Sequence, residues 1–403
     1  MTNAPERRLR VLEVSYSRQV WGAELATMAL AAPLAERGID LILGSPPGGD
    51  LEEHWARLGL PHVALEFPSR LGMRAEDREA RPSAGQFGRE LAATARSVRA
   101  IGRAARDVDL VHSNSLWAHL DCALAGRVAR RPVVIELYDL VRPGLGRRVL
   151  TGAARLSTVA VAISQAVADC VGPRGADHVR IIPLSVDLAR FSSGPSDSAV
   201  RSQLTSDPDA PLVGIVGRID PEKGVDVLVR AVASLRGGAA RTHLVVVGSA
   251  GLAPDGYPER VRADAEDLLG ERVRFVGRRG DVPATLKALD VLVNASVAEP
   301  FGLTVLEAQA SGVAVIGTRA GGIPDFVDDG DNGLLVPSGD ADALAKALER
   351  LVTDTELRER LAARGRITAQ ARGIDARADV VAALYRQLAD RQLASAARRG
   401  GGA

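Results

Sequence analysis

Short apolar runs alternate with longer amphipathic stretches along most of this chain. RLRVLEV (8–14) is a first apolar run of strand length. Residues 22–38 follow with helical spacing and stop at Gly38, a residue that suits a helix C-terminus because it enters the left-handed region without steric cost. IDLILGS (39–45), DLVHSN (109–114), RPVVIELYD (131–139) and TVAVAIS (158–164) read as further strands, with helical segments between most of them. Ser, Asp, Pro and Gly then dominate residues 192–211, which makes 193–210 the expected linker. Beyond it the alternation restarts with PLVGIVGR (211–218), THLVVVGS (242–249), RVRFVGR (272–278), DVLVNAS (290–296) and VAVIGT (313–318). Strands alternating with helices predict parallel sheets covered on both faces. Two successive halves of similar size predict two α/β, Rossmann-like domains, over 1–192 and 211–374. An apolar stripe over 375–395 predicts a C-terminal helix packing back across the domains, and ARRGGGA after it reads as a disordered end.

Composition changes little in this picture. A length of 403 residues accommodates two domains. The net charge of +1 provides no global field for nucleic acid, although the first 192 residues carry 25 arginines against 21 acids. Cys122 and Cys170 lack neighbours at metal or redox spacing, as expected of free thiols in a reducing compartment. No apolar run reaches the roughly 20 residues that span a bilayer, and the start MTNAPERRLR has no apolar signal core. A cytoplasmic location is therefore expected. On the helix predicted over 85–106, Arg89, Arg96, Arg99, Arg103 and Arg106 share one face, while Leu91, Ala95, Val98 and Ile101 share another. This is a solvated face over a core stripe, or a basic face for a phosphorylated acceptor or for peripheral contact with anionic lipid on the inner side of a membrane.

The chemistry concentrates in the second half. In E-P-F-G-L-T-V-L-E (299–307), one carboxylate falls on the loop after a strand and the other inside the helix that this loop opens. In open parallel sheets, ligands bind at that edge, and the pair suits a polyhydroxylated or phosphorylated ligand. In V-G-R-I-D-P-E-K-G (216–224), Gly217 and Gly224 permit a tight turn that carries Arg218 and Lys223 towards a helix N-terminus. An arginine fork with a mobile lysine charge points to a diphosphate. Only three lysines occur in the chain, so Lys223 stands out against an arginine background.

Taken in order, G-A-E (22–24), V-H-S-N-S (111–115), P-V-V-I-E-L-Y-D (132–139), I-P-L-S-V-D-L-A-R-F (182–191), G-R-I-D-P-E-K-G, E-P-F-G-L-T-V-L-E and G-G-I-P-D (321–325) resemble the retaining nucleotide-sugar glycosyltransferases of the GT-B type, family four. The resemblance implies two facing Rossmann-like domains with a cleft between them, and sugar transfer from a nucleoside-diphosphate-sugar donor to a glycan, lipid or small-molecule acceptor, without a metal or other cofactor. It implies that Arg218 and Lys223 neutralise the donor diphosphate and that Glu299 contacts the sugar hydroxyls. The N–H groups of Phe301, Gly302 and Leu303, with Thr304 beside them, would bind sugar or phosphate, and Glu307 the ribose. Arg278 would lie by the base, Gly22 would let the diphosphate approach, and Asn114 would line the pocket. Tyr138 stands where many relatives carry a His facing the reacting sugar. Asp139 beside it is then the more credible base, unless the departing phosphate takes the acceptor proton. His112 reads as a core histidine and His119 as a helix-surface residue. The competing readings are a nucleotide-sugar epimerase of the same fold and a catalytically idle nucleotide-sugar binder. Donor base, sugar, acceptor and oligomeric state are not legible here.

Overall fold

The computed structural model describes residues 7–68, 84–192, 194, 197–250 and 256–400. The chain forms two compact units, one of residues 1–183 with 374–403 and the other of residues 184–373.

The first unit is built on a seven-stranded parallel sheet. Its strands are β1 (Leu9–Val14), β2 (Ile39–Ser45), β3 (His62–Ala64), β4 (Leu110–Ser113), β5 (Val133–Leu137), β6 (Val159–Ala162) and β7 (Val179–Ile181), in the order β3-β2-β1-β4-β5-β6-β7. β4, β5 and β6 are buried along their whole length, so they show no alternation of apolar and polar residues; the polar His112, Ser113 and Glu136 are buried with the rest. Leu30 and Leu34 of the helix Gly22–Glu36 and Leu384, Tyr385 and Leu388 of the helix Ile374–Gly400 join one core with Val11, Leu41, Leu110 and Val134 of the sheet.

The second unit repeats the plan with six parallel strands: β8 (Leu212–Val216), β9 (His243–Val247), β10 (Val273–Gly277), β11 (Val291–Asn294), β12 (Ala314–Thr318) and β13 (Leu334–Val336), in the order β10-β9-β8-β11-β12-β13. In each sheet the first strand lies inside, and the order reverses between β1 and β4 and between β8 and β11. Those reversals are the switch points at whose carboxyl ends α/β sheets bind ligands.

Two boundaries differ from expectation. The division falls between Pro183 and Leu184, and residues 197–210 belong to the second unit. The Ser/Asp-rich stretch read as a linker contains the helix Ser198–Leu204, capped by Asp197 Oδ1 accepting from Ala199 N at 2.8 Å. Arg201 of that helix donates to the carbonyls of Ala288 (2.7 Å) and Ala210 (2.8 Å) and to Asp290 (2.9 Å), which fixes it to the second sheet. Polar residues that suggested a flexible link are thus a cap and its flanks. The C-terminal helix packs on the first unit. Residues 401–403 lie outside the described ones, so the end expected to be disordered is only partly covered.

The helix Ala84–Ala104 also buries a different face from the expected one. Leu91 and Ala95 are exposed, whereas Ala93, Ser97, Ile101 and Ala105 are buried at a four-residue spacing. All five arginines at 89, 96, 99, 103 and 106 are exposed. Among the described residues, no helix is long and apolar enough to cross a membrane.

Candidate functional site

The switch point of the second sheet brings the two sequence motifs together. The Gly217–Gly224 loop leaves the end of β8, and Glu299 sits on the loop after β11. Lys223 Nζ donates to Glu299 Oε2 at 2.8 Å across 76 residues of sequence. Two backbone features hold this meeting. Val297 N donates to Glu222 O at 2.8 Å, tying one loop to the other. Gly224 has φ 65°, and a Cβ there would lie 2.2 Å from Ala295 O, so only glycine lets the lysine loop come this close.

Glu299 is 8% exposed and its Oε2 also accepts from Asn294 Nδ2 and Ser296 Oγ, each at 3.1 Å. Burial alone would raise its pKa; the Lys223 charge and these hydrogen bonds outweigh burial and hold it below the usual carboxylate value. Gly322 N donates to Glu299 O at 2.9 Å, and Gly321 (φ 63°) fits because a Cβ would come within 1.8 Å of that same carbonyl. The G-G-I-P-D motif thus clamps the backbone of Glu299. Asn294, Ser296 and Gly321 were missed as site residues. The signal for the first two was the polar N-A-S ending an otherwise apolar strand.

Arg218 is half-exposed beside Asp220 (3.2 Å) and Glu222 (3.9 Å). Asp220 is buried and its Oδ1 accepts from Lys223 N at 3.2 Å, shaping the turn between the two cations. Glu299 takes one of the three ammonium donors of Lys223, leaving two for an anion.

Beyond Glu299, Gly302 (φ 98°) starts the helix Leu303–Ala310. Phe301 is buried and stacks on Phe326 with ring centroids 5.1 Å apart. Among the described residues, none accepts a hydrogen bond from the backbone N–H of Phe301, Gly302, Leu303 or Thr304. Glu307 follows on the same helix, half-buried. Burial pushes its carboxyl up to about 7, with Arg190 the one cation drawing it down. Such a carboxyl is poised to receive donors from a ligand. Arg190, from the S-V-D-L-A-R-F segment, is a fourth residue missed from sequence. Arg278 is exposed directly after β10.

In the first unit, Gly22 opens the helix Gly22–Glu36 and is exposed, with nothing within 4 Å of where a Cβ would stand. The adjoining Glu24 is buried. Its Oε1 accepts from Ser15 Oγ at 2.8 Å and its Oε2 from Trp21 N at 3.2 Å, so the G-A-E motif fixes the entry to this helix. Asn114 follows β4 at the first sheet's switch point, where it is 5% exposed. Its Nδ2 donates to Thr27 Oγ1 at 3.3 Å, and its Oδ1 is buried without a partner among the described residues. Asp139 is exposed just beyond β5.

Tyr138 departs from expectation. Its hydroxyl is buried beside Glu136 and Arg377, and burial with the Glu136 charge pushes its pKa well up. The residue proposed to face a sugar instead turns its hydroxyl into an interior charge cluster. There Glu13 (β1), His112 (β4) and Glu136 (β5) meet Arg377 and Tyr385 of the C-terminal helix. His112 Nδ1 lies 3.2 Å from Glu13 and hydrogen-bonds the Tyr385 hydroxyl; its Nε2 lies 3.3 Å from Glu136, which also pairs with Arg377. Burial would lower the His112 pKa, but the two carboxylates reverse this and raise it to about 10. Glu136 falls to about 2, burial being outweighed by Arg377 and His112. The core reading of His112 agrees with this placement. His119 is a correction: it is 2% exposed, with Nδ1 at 3.0 Å from Ser113 Oγ. Among the described residues, no three His, Cys, Asp or Glu groups are arranged to hold a metal ion.

Two Rossmann-like sheets, one with a dication loop and a buried carboxylate at its switch point, define the GT-B class of glycosyltransferase architecture. The comparisons agree. Residues 196–368 match the model "Glycosyl transferases group 1" and residues 20–190 match "Glycosyltransferase Family 4". The chain belongs to the group 1, family four glycosyltransferases. It is 41% identical over 170 residues (42% of this chain and 47% of the relative) to the lipopolysaccharide core biosynthesis glycosyltransferase LpsE of Rhizobium meliloti. It is 38% identical over 218 residues (52% and 50%) to the D-inositol 3-phosphate glycosyltransferase of Saccharomonospora viridis. The chain spans about half the length of the curated relatives it matches. Among solved structures, Anabaena HepE in complex with UDP superposes with a TM-score of 0.80 at 26% identity, covering 94% of this chain and 100% of HepE. HepE in complex with UDP-glucose gives 0.77, also at 26%, over 96% and 100%.

Proposed function

We propose that this protein is a retaining glycosyltransferase that moves a sugar from a nucleoside-diphosphate-sugar, of the UDP-sugar kind, to a hydroxyl of a glycan, lipid or small-molecule acceptor. The observation that carries this reading is the meeting of Lys223 with Glu299 at the second sheet's switch point, beside Arg218. As the bond from the anomeric carbon to the diphosphate oxygen breaks, negative charge grows on that oxygen. Arg218 and the two remaining donors of Lys223 stabilise that charge, and they require no reorganisation because Glu299 and Asp220 already hold the loop. The unpaired N–H groups of residues 301–304 add donors for sugar or phosphate. Glu299, through its Oε1, accepts from sugar hydroxyls, and Glu307 from the ribose. Arg278 is assigned to the nucleotide base. The acceptor oxygen forms the new bond to the anomeric carbon, and its proton passes to the departing phosphate oxygen. Tyr138 has no part in that transfer, because its hydroxyl is committed to the interior. These residues supply the charge stabilisation themselves, so no metal is required in this reading.

HepE, whose structures contain UDP and UDP-glucose, supports the choice of donor. A thermal-shift screen over UDP, GDP, ADP and TDP tests the base, since a ligand bound only by the native state raises the melting temperature. Release of nucleoside diphosphate from the matching sugar donor, in the presence of candidate acceptors, tests turnover. Glu299→Ala is expected to abolish release in protein that still melts cooperatively. A protein that releases no nucleoside diphosphate from any common donor would overturn the proposal.

A further inference from the structure

The amino-terminal edge of the first sheet, opposite the switch-point edge where Asn114 lies, carries a cavity of about 460 Å3. It opens beside Pro132 and Thr158, the residues just before β5 and β6, and the C-terminal helix forms its other wall with Leu388, Arg391, Gln392 and Ser395. Four arginines line it (Arg127, Arg130, Arg131 and Arg391) and no carboxylate does.

The fold leaves these charges unneutralised. Arg127 donates to Leu156 O at 3.1 Å, and Arg131 to Ala105 O at 3.3 Å and Arg106 O at 2.8 Å. Carbonyls orient these two guanidinium groups without cancelling their charge. Arg130 and Arg391 have no ion-pair partner among the described residues. In a chain with near-equal numbers of basic and acidic residues, four arginines around one hollow with no acid is an electrostatic cost that an anion would relieve.

Backbone geometry adds an independent observation. Arg130 ends the helix His119–Ala129 in the left-handed region, with φ 55° and ψ 44°. It is the one non-glycine with positive φ among the described residues. Glycine is the usual residue at such a helix end, and a bulky side chain there costs on the order of 1 kcal/mol. The turn is secured from across the cavity, where Gln392 Nε2 donates to Arg130 O at 2.6 Å. An arginine is kept where glycine would be easier, at the mouth of an arginine-lined cavity.

We propose that this cavity binds a phosphate-bearing anion, at a site separate from the proposed donor site. The volume fits a phosphate or diphosphate group with part of what it is attached to. The guanidinium forks match phosphate oxygens, while Thr158, Gln392 and Ser395 supply further hydrogen-bonding groups. A soluble phosphorylated metabolite and the headgroup of an anionic lipid share this chemistry. Because the C-terminal helix forms one wall, the site exists only when that helix is docked.

The test uses the full chain carrying Lys223→Met, so that anion binding at the proposed donor site is weakened in parent and variant alike. Inorganic pyrophosphate is titrated calorimetrically, and sedimentation with phosphatidylglycerol vesicles is compared with pure phosphatidylcholine vesicles. Arg130→Gly with Arg391→Gln is then added. The expected result is saturable pyrophosphate binding, or selective capture by the anionic vesicles, weakened at least tenfold by the added pair. Pyrophosphate binding without vesicle capture assigns the site to a soluble ligand, and capture lost with the pair assigns it to a headgroup. Arg130→Gly relieves the left-handed turn, so the melting temperature should hold or rise while binding falls, which distinguishes a lost site from a lost fold. Unchanged affinity in the arginine variants, or neither pyrophosphate binding nor anionic capture in the parent, overturns the proposal. A failure here leaves the transferase reading intact, because that reading is tested by nucleotide release.

Discussion

Replacing Lys223 by Met removes the cation while keeping most of the side chain's apolar stem. Glu299 would then keep its bonds from Asn294 and Ser296, both 3.1 Å, and lose the 2.8 Å bond from the ammonium. Side-chain exposure is 21% for Lys223 and 10% for Glu299, so the pair is neither a surface bridge nor a dry one. A hydrogen bond to a charged group contributes about 1.5–3 kcal/mol. Solvent at the lysine end places the loss near the middle, at about 2 kcal/mol, which for a unit of this size is roughly 4–8 °C in melting temperature. Glu299→Gln preserves the shape and removes the charge, and should cost about 1 kcal/mol, since Lys223 can turn to water. The double variant should then be less destabilised than the sum of the two, with a coupling of about 1–2 kcal/mol. Differential scanning calorimetry of the four proteins at pH 7.5 measures this directly. Additivity within about 0.3 kcal/mol would refute the direct bond, and with it the argument that Glu299 preorganises the lysine. The same proteins titrated with the nucleoside diphosphate that the thermal screen selects should show Lys223→Met weakening binding by about 2 kcal/mol, or roughly thirtyfold. Equal affinity would remove Lys223 from the diphosphate site.

Glu307, with its carboxyl at about 7, should make nucleotide binding tighten as pH rises from 6 to 8, because the carboxylate is the form that accepts ribose hydroxyls. Glu307→Gln should bind more weakly at pH 8 and lose that slope, and a slope retained in the variant would count against the assignment. Gly22 has open space where a Cβ would stand and lies in a helix, so Gly22→Ala should keep or slightly raise the melting temperature; a clear fall would show that the helix entry needs glycine. Gly224→Ala, with φ 65° and Ala295 O at 2.2 Å from the new Cβ, should instead lower stability by more than about 1 kcal/mol, and a melting temperature equal to wild type would show that the loop relaxes. In the first unit, the raised His112 value means that its contribution is complete below about 6.5 and fades as pH climbs towards about 10. The lowered Glu136 value means that its contribution is complete above about 4.5 and is lost as pH falls towards about 2. Thermal melts from pH 3 to pH 10 should therefore show a plateau between about 4.5 and 6.5, with an alkaline decline that is shallower in His112→Gln; an equal decline in the variant refutes this account.

Ten of the thirteen strands among the described residues were legible because each is a run of four to seven residues, largely apolar, between turn signals, while β3, β7 and β13, of three residues each, are too short to show a pattern. The Gly217–Gly224 loop was legible for a local reason: glycine, arginine and lysine have to be close in sequence to share one turn. Asn294 and Ser296 escaped notice because their role depends on Glu299 folding back over the end of β11, and no spacing rule encodes that return. The misread linker at 193–210 has a similar cause. Ser and Asp serve equally as helix caps and as loop residues, and only Arg201 reaching Asp290, 89 residues away, decides between them.

Tyr138 shows most clearly where the local pattern stops informing. In sequence it follows an apolar strand and precedes an acid, the place where a residue facing a ligand is expected. Its orientation is decided by Arg377, some 240 residues later, on a helix outside every motif. Arg377 is 5% exposed, and without Glu136 its permanent charge would be left uncompensated there. Glu136 in turn draws His112, and His112 draws Glu13. Two acids and two bases are buried together, so the strands of the first unit and the C-terminal helix neutralise one another. Arg377→Met should therefore destabilise the first unit by about 3–5 kcal/mol, the cost of leaving a buried partner unpaired, and should make the Tyr138 hydroxyl still harder to ionise, because Arg377 is the cation that draws its pKa down while Glu136 pushes it up. Absorbance at 295 nm through an alkaline titration, beside urea unfolding, reads both quantities. A variant that unfolds at the wild-type urea midpoint would mean that the helix is held by its apolar face alone, through Leu384, Tyr385 and Leu388, and that the buried charges do not fasten it.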